Sequence, residues 1–315
     1  MTARPRAAIA SPAPSQTNQP RAGTARRVLT LLLATLEAAR PRQWPKNLLV
    51  FAAPLAGASL GRDDGFAYAL SAAVAFTAAS AAVYLVNDVV DAERDRSHPA
   101  KRKRAVASGR LPAWWAVAVA VAAVAVAIWG SLLIRSPGLA ALIAAYVIFS
   151  VLYTFQLKHI PGVEVAFVAV GFVLRALGGA VATHVPPSAW FLIVCSLGAL
   201  MVALGKRYTE LSVLGDHAWR HRPVMRFYRL TQLRTAQRVV AAAMLAAYVL
   251  WALSEPVLWM RGWHVASAVP LAVSLRRFDR LTGQAKDRPV EDLIVRDPVM
   301  LCAQATWLTL FLVGL

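Results

Sequence analysis

The sequence predicts an all-α polytopic membrane protein, with about nine transmembrane helices around a cavity open to the cytoplasmic side. Three observations carry that fold class. Apolar residues fill 58% of the 315 positions and charged residues only 16%, a balance foreign to a soluble domain of this length. The apolar residues come in long blocks, at 66–86, 112–134, 138–157, 189–204 and 239–253, almost free of ionisable side chains. A bilayer core takes roughly 20 apolar residues per helical span. Backbone groups in lipid must be satisfied within the segment, and the blocks lack the alternation of barrel strands. The third observation is where the charge sits. The formal net charge is +18, and nearly all basic residues fall in the N-terminal tail and in 94–110, 206–238 and 276–296. The alternate connections hold only Arg62, Arg135 and Arg261. That segregation places the basic loops in the cytoplasm of a multi-pass cell-membrane protein. It also argues against nucleic acid as a partner, since no soluble module remains to carry such binding.

Taken in order, residues 1–27 are rich in Pro, Ala, Ser, Thr and Arg without hydrophobic period, which predicts a disordered basic tail. Residues 28–46 follow as a cytoplasmic amphipathic helix and entry segment. Arg26-Arg27 before an apolar stretch resembles a twin-arginine signal, but Glu37 and Arg40 interrupt that stretch early, so a surface helix is the better reading. Residues 47–315 form one transmembrane domain. Its nine expected spans lie at about 47–61, 65–90, 112–134, 137–157, 160–184, 187–205, 235–254, 260–277 and 297–315. Pro54 and Pro270 interrupt the first and eighth. With the N-terminus inside, these nine spans leave the C-terminus outside and put every strongly basic loop on one side, which an eight-span count would not. Cys195 and Cys302 lie in apolar spans without ligand spacing and imply no disulfide framework.

The chemistry concentrates at the end of the second span, in Asn87-Asp88-Val89-Val90-Asp91-Ala92-Glu93-Arg94-Asp95. On a continuous helix Asp88, Asp91 and Asp95 share one face, where they repel one another unless a cation offsets them. Oxygen ligands of this kind suit Mg²⁺, which takes one or two carboxylates, waters and the substrate's own phosphate oxygens. Asn87 adds an amide that can orient phosphate, and Glu93 points off this face into solvent. A helix end with solvated charges explains one or two acids, not three in register. Arg104 belongs to the basic run that follows, which serves either as a positive-inside flank or as a binder of phosphates. Lys206, Arg207 and Glu210 close the sixth span, and both cations are spaced to pair with Glu210. Glu164 and Arg175 stand three helical turns apart in the fifth span, and ionisable groups inside a membrane helix usually face a polar cavity. Tyr153, Lys158 and Lys46 can supply donors to that cavity or merely snorkel.

These residues resemble the UbiA superfamily of intramembrane prenyltransferases, whose hallmark N-D-x-x-D-x-x-x-D is matched by Asn87, Asp88, Asp91 and Asp95. The likeness extends from residue 40 to the end. The segments 40–47, 87–95 and 205–210 are most similar to a branch that moves a phosphoribosyl group onto decaprenyl phosphate. One departure matters. Superfamily members usually carry a second aspartate-rich motif near the sixth span; here that region reads Lys206-Arg207-Tyr208-Thr209-Glu210, and Asp216 lies too far along. Added cations in place of acids suit a donor with more phosphate, such as phosphoribosyl pyrophosphate.

The resemblance implies that Asp88, Asp91 and Asp95 are catalytic, holding Mg²⁺ against the donor's diphosphate with Asn87 steering. Lys46, Arg104, Lys158, Arg175, Lys206 and Arg207 are then phosphate clamps. Tyr153 donates to a phosphate, and Glu164 and Glu210 orient cations or ribose hydroxyls. The partners implied are phosphoribosyl pyrophosphate, a polyprenyl phosphate lipid and the bilayer, with a homotrimer as compatible as a monomer. Prenyl transfer to an aromatic acceptor is the alternative; a secondary transporter fits less well, because the acids cluster at one face and no repeat is evident.

Overall fold

A computed structural model describes residues 21–62, 64–97, 101–157, 160–215, 218, 223–284 and 296–315. Every regular element among them is helical. Helix α1 (Arg21–Ala38) leads to a 3-10 segment, Pro41–Phe51, and the short α2 (Ala52–Ala56). The bundle continues with α3 (Gly65–Val90), the one-turn α4 (Ala92–Arg96), α5 (Ala113–Leu133), α6 (Pro137–Phe155) and α7 (Val163–Ala182). It closes with α8 (Ala189–Leu214), α9 (Leu230–Ser254), α10 (Leu258–Gln284) and α11 (Pro298–Val313).

The ends of these helices follow from local chemistry. Pro137 and Pro298 occupy first-turn positions, where a missing N–H costs nothing. Ser188 and Asp297 cap α8 and α11 by accepting from the amides of Phe191 and Met300, at 3.1 and 2.9 Å.

Among the described residues six helices, α3 and α5 to α9, are long and apolar enough to cross a bilayer. In their most apolar stretches α3 and α7 are 56% and 50% buried, against 22% to 28% for the other four. The first two therefore stand at the centre, while the rest turn large apolar side chains such as Val121, Val126, Ile148 and Leu250 outward into lipid. Alanines line the inside of α3 and α5, among them Ala72, Ala79, Ala82, Ala116 and Ala120. Small side chains let helix backbones approach closely where hydrocarbon on both sides removes the ordinary hydrophobic drive.

The other three expected spans take different forms. The first, at 47–61, is corrected: it is the 3-10 segment plus the five residues of α2, not one α-helix. Pro45 and Pro54 each remove an amide donor and crowd the preceding turn. This irregular backbone is covered by protein. A Cβ on Gly179 of α7 would stand 1.7 Å from the Val50 carbonyl oxygen, and one on Gly178 would strike the Phe76 ring. Gly179 thus lets the 3-10 segment lie directly on α7, as non-helical chain at membrane depth requires, and Gly178 makes room for Phe76 of α3. The eighth span is α10, which buries Pro270, and the last is α11, with 16 residues.

Candidate active site at the junction of α3 and α4

Asn87 and Asp88 ride the last turn of α3. Asp91 is the joint at which α3 stops and α4 starts, with φ −90° and ψ 1°. The amides nevertheless keep helical partners across it, Asp91 N to Asn87 O at 2.9 Å and Asp95 N to Asp91 O at 2.8 Å. Asp88 and Asp95 therefore stay on one side, and both are buried, at 3% and 2% exposure. Their carboxylates converge on a single nitrogen: Arg104 Nη1 lies 2.7 Å from Asp95 Oδ2 and 3.4 Å from Asp88 Oδ1. Asp91 is more open and pairs with Arg94 at 3.5 Å. The expectation of three carboxylates stacked on an unbroken helix face is thus corrected to two convergent acids and a third beside them. Among the described residues no three His, Cys, Asp or Glu side chains form a metal-ligand group. Glu93 is exposed, as its spacing predicts.

A second guanidinium completes the cluster. Arg40 Nη2 donates to Asp88 Oδ1 at 2.5 Å, with its guanidinium carbon 4.9 Å from the centre of the Tyr84 ring. Arg40 has φ 54°, a left-handed conformation uncommon for a residue with a side chain. It turns the chain sharply between α1 and the 3-10 segment and aims the side chain at α3. Sequence reasoning left Arg40 out of the site. The available signal was its position before Pro41, which disfavours continued helix and marks a corner.

The loop carrying Arg104 is fastened from two sides. Arg110 forms a two-pronged ion pair with Glu37 of α1, at 2.6 and 2.8 Å, and also donates to the Lys103 carbonyl at 2.7 Å. Arg96 Nε donates to the Ala107 carbonyl at 3.3 Å. Arg110 holds the Glu37 carboxyl below the usual glutamate range by hydrogen bonding and by its charge.

The remaining expected site residues divide among neighbouring networks. Asn87 Oδ1 accepts from Thr154 Oγ1 of α6 at 2.5 Å, so a ligand would meet chiefly the amide's N–H groups. Lys46 donates to Gln43. Tyr153 stacks on Phe167, centroids 6.4 Å apart, and the Lys206 ammonium sits 5.7 Å from the centre of the Phe172 ring. Lys158 and Asp216 lie outside the described residues.

Glu164 and Arg175 do not share one cavity-facing network, as their spacing suggested. Glu164, with 0% exposure, receives Arg207 Nε at 2.6 and 2.7 Å and Nη2 at 2.6 Å. Arg207 Nη1 also reaches Glu210 at 2.8 Å. Tyr228 donates to Glu164 at 3.3 Å while accepting the Gly162 amide at 2.7 Å. Burial pushes the Tyr228 hydroxyl above its ordinary pKa, which keeps it a donor. Arg175 instead donates to Asn47 Oδ1, the Gly171 carbonyl, Ser80 Oγ and Tyr146 Oη, at 2.7, 2.6, 2.9 and 3.0 Å. Asn47, Ser80 and Tyr146 were not foreseen, because they belong to three different elements.

The sequence profile described as the UbiA prenyltransferase family matches residues 48–292. The chain belongs to this family. Among similar proteins is a decaprenyl-phosphate phosphoribosyltransferase of Mycobacterium tuberculosis, 36% identical over 283 residues, covering 88% of this chain and 93% of that one. Proteins of the same name from Mycolicibacterium smegmatis and Corynebacterium glutamicum are 33% and 35% identical. They cover 93% and 86% of this chain, and 95% and 83% of their own lengths. Among solved structures, a UbiA homolog from Archaeoglobus fulgidus bound to GPP and Mg²⁺ superposes with a TM-score of 0.66 at 14% identity. The match covers 88% of this chain and 99% of that one. A digeranylgeranylglyceryl phosphate synthase also gives 0.66 at 14%, over 92% and 98% of the two chains. These likenesses establish the UbiA fold for the all-α bundle.

Proposed function

We propose that this UbiA family member transfers the 5-phosphoribosyl group of phosphoribosyl pyrophosphate to a polyprenyl phosphate, decaprenyl phosphate by preference, releasing pyrophosphate. The step would supply an arabinan precursor for the cell wall from a site on the cytoplasmic side of the cell membrane. The observation that carries this reading is the length over which relatives named for that transfer match, combined with two buried acids that share one cation. Arg104 Nη1 marks a point that both Asp88 and Asp95 already reach with an oxygen. That donor set fits Mg²⁺, which needs few carboxylates when a diphosphate completes its shell.

Asp88 and Asp95 would hold the ion, with Asp91 supporting it from the edge. Bound there, Mg²⁺ offsets the charge that grows on the departing pyrophosphate. Asn87 turns its N–H groups toward phosphate oxygen. Arg40 and Arg104, released from the acids, remain beside the diphosphate as clamps, and Lys46 and Lys206 supply further charge. A phosphate oxygen of the lipid attacks the anomeric carbon of the ribose. The carbon–oxygen bond to pyrophosphate breaks, and the leaving group keeps the electron pair. The lipid phosphate is anionic at neutral pH, so the attack needs no strong base. The tail stays in the bilayer throughout.

The test uses membranes containing the chain, radiolabelled phosphoribosyl pyrophosphate and added polyprenyl phosphate. Labelled lipid is expected with the wild type, and its loss with chelator or with Asp88→Asn. Undiminished labelling in Asp88→Asn, or protection of the purified protein from heat by a prenyl diphosphate rather than by phosphoribosyl pyrophosphate, overturns the proposal.

A further inference from the structure

A cleft of about 550 Å³ lies between α9 and α10, lined by Arg234, Arg238, Arg276 and Arg280 at its polar end and floored by alanines and leucines. Its charge is built symmetrically. Arg234 and Arg238 are one helical turn apart on α9, and Arg276 and Arg280 one turn apart on α10, so each helix turns both guanidinium groups to the same side. Among the described residues Asp279 is the single acid in the lining, against four arginines. It serves two of the arginines, 3.2 Å from Arg238 Nη2 and 3.6 Å from Arg234 Nε. The second distance is too long for a hydrogen bond, and among the described residues Arg234 Nε is a buried donor without an acceptor. Arg234 is aimed deliberately: Nη1 donates to Tyr208 Oη at 3.0 Å. A Cβ on Gly283 would come within 3.0 Å of that guanidinium, so a bare backbone makes room for it. Arg277, on the other side of α10, is already paired with Asp297 at 2.6 Å.

Beyond the arginines both helices turn apolar along the same side. On α9 the floor continues through Ala241, Ala242 and Leu245, and on α10 it runs back through Leu275 and Ala272. The cleft thus changes from cationic to hydrocarbon along its length, within a protein embedded in a bilayer. We propose that it binds an anionic phospholipid, the phosphodiester among the arginines and an acyl chain along the floor. Charge complementarity commits the site to an anionic head group, since a zwitterionic lipid brings its own cation. The site stands apart from the aspartates: α9 and α10 pack chiefly on α8, α11 and each other, whereas α3 packs on α5, α6 and α7. Through Tyr208, which holds Arg234, the cleft touches the end of α8.

Native mass spectrometry of the full chain in neutral detergent, with added phosphatidylglycerol or phosphatidylcholine, tests the proposal. Wild type is expected to retain phosphatidylglycerol selectively. At roughly a fivefold effect per arginine near a lipid surface, Arg238→Gln/Arg280→Gln should weaken that retention roughly 30-fold. Phosphatidylcholine binding should not change. The milder Arg276→Gln should weaken it about fivefold and guards against misfolding of the double variant. Arg135→Gln/Arg261→Gln, altering arginines of the opposite loops, should leave it intact. Equal retention by wild type and the cleft variants overturns the site. So does displacement of bound phosphatidylglycerol by polyprenyl phosphate at equal stoichiometry, which would assign the cleft to the acceptor, or by inorganic phosphate, which would show that the floor plays no part.

Discussion

Replacing Glu164 by Gln should destabilise the bundle more than any single change at the aspartates. Glu164 is wholly buried, and three of its contacts come from Arg207, all between 2.6 and 2.7 Å. Glutamine keeps the shape but leaves a guanidinium of 6% exposure without its principal counter-charge. Breaking a buried pair from one side costs about 3–5 kcal/mol. Arg207 retains Glu210 at 2.8 Å, so the lower end applies, about 3 kcal/mol. That corresponds to a fall of roughly 6–12 °C in melting temperature. The assay is a thermal melt in detergent followed by tryptophan fluorescence, repeated at several scan rates because membrane proteins often unfold irreversibly. The double variant Glu164→Leu/Arg207→Leu removes both charges and should recover much of the loss. A Glu164→Gln melt within 1–2 °C of wild type, on the scale at which surface changes act, would refute the assignment of this pair as the joint between α7 and α8.

Gly179→Ala should lower the melting temperature by an amount equivalent to about 1–3 kcal/mol, because its new methyl would overlap the Val50 carbonyl; the same melt checks it. Arg175→Lys should cost about 1–3 kcal/mol despite keeping the charge. A single ammonium cannot reach Asn47, Gly171, Ser80 and Tyr146 with the same geometry. Acid should loosen α1. The folded Glu37 carboxyl lies below its ordinary value because of Arg110, so the stability it contributes is present above the unfolded pKa. That contribution is lost as pH falls through the folded value. The pair is half exposed, at 44% and 50%, so the effect is small and screened by salt. Faster proteolysis within α1 as the pH falls below the ordinary glutamate range, reproduced at neutral pH by Glu37→Gln, is the expected result.

How far the sequence alone reaches depends on the range of the interaction. The bounds of α3 match the expected 65–90 because an unbroken apolar run and the bilayer thickness fix both ends. The 47–61 stretch did not form one α-helix for a reason present in the letters: Pro45 just before it and Pro54 within it weigh more than its apolar composition. The aspartate spacing correctly brought Asp88 and Asp95 to one side. It missed the joint at Asp91, because a change of ψ within one turn leaves no mark on residue identity. Partners across the fold were the least legible. Arg207 finds Glu164 43 residues away, Arg40 finds Asp88 48 away, and Arg175 finds Asn47 128 away. No local period encodes such pairings; only the burial of a charge demands that some partner exist.

That demand also separates the acids that hold helices together from those able to exchange ligands. Arg175 and Arg207 are each 6% exposed and surrounded by acceptors. Moving Arg207 would strand Glu164 as a charge in an apolar interior, at about 3–5 kcal/mol. Arg40 and Arg104 are about 30% exposed, and each meets the aspartates through a single guanidinium nitrogen. Water can follow them as they leave, and an incoming divalent cation would take over the charge they offset. Under the proposed function, exchange at Asp88 and Asp95 would therefore substitute one cation for another while keeping the arginines within reach of phosphate. At Glu164 the same exchange has no route, since its partner has nowhere hydrated to go. On that reading the end of α3 is where binding would be reversible without unfolding the bundle that supports it.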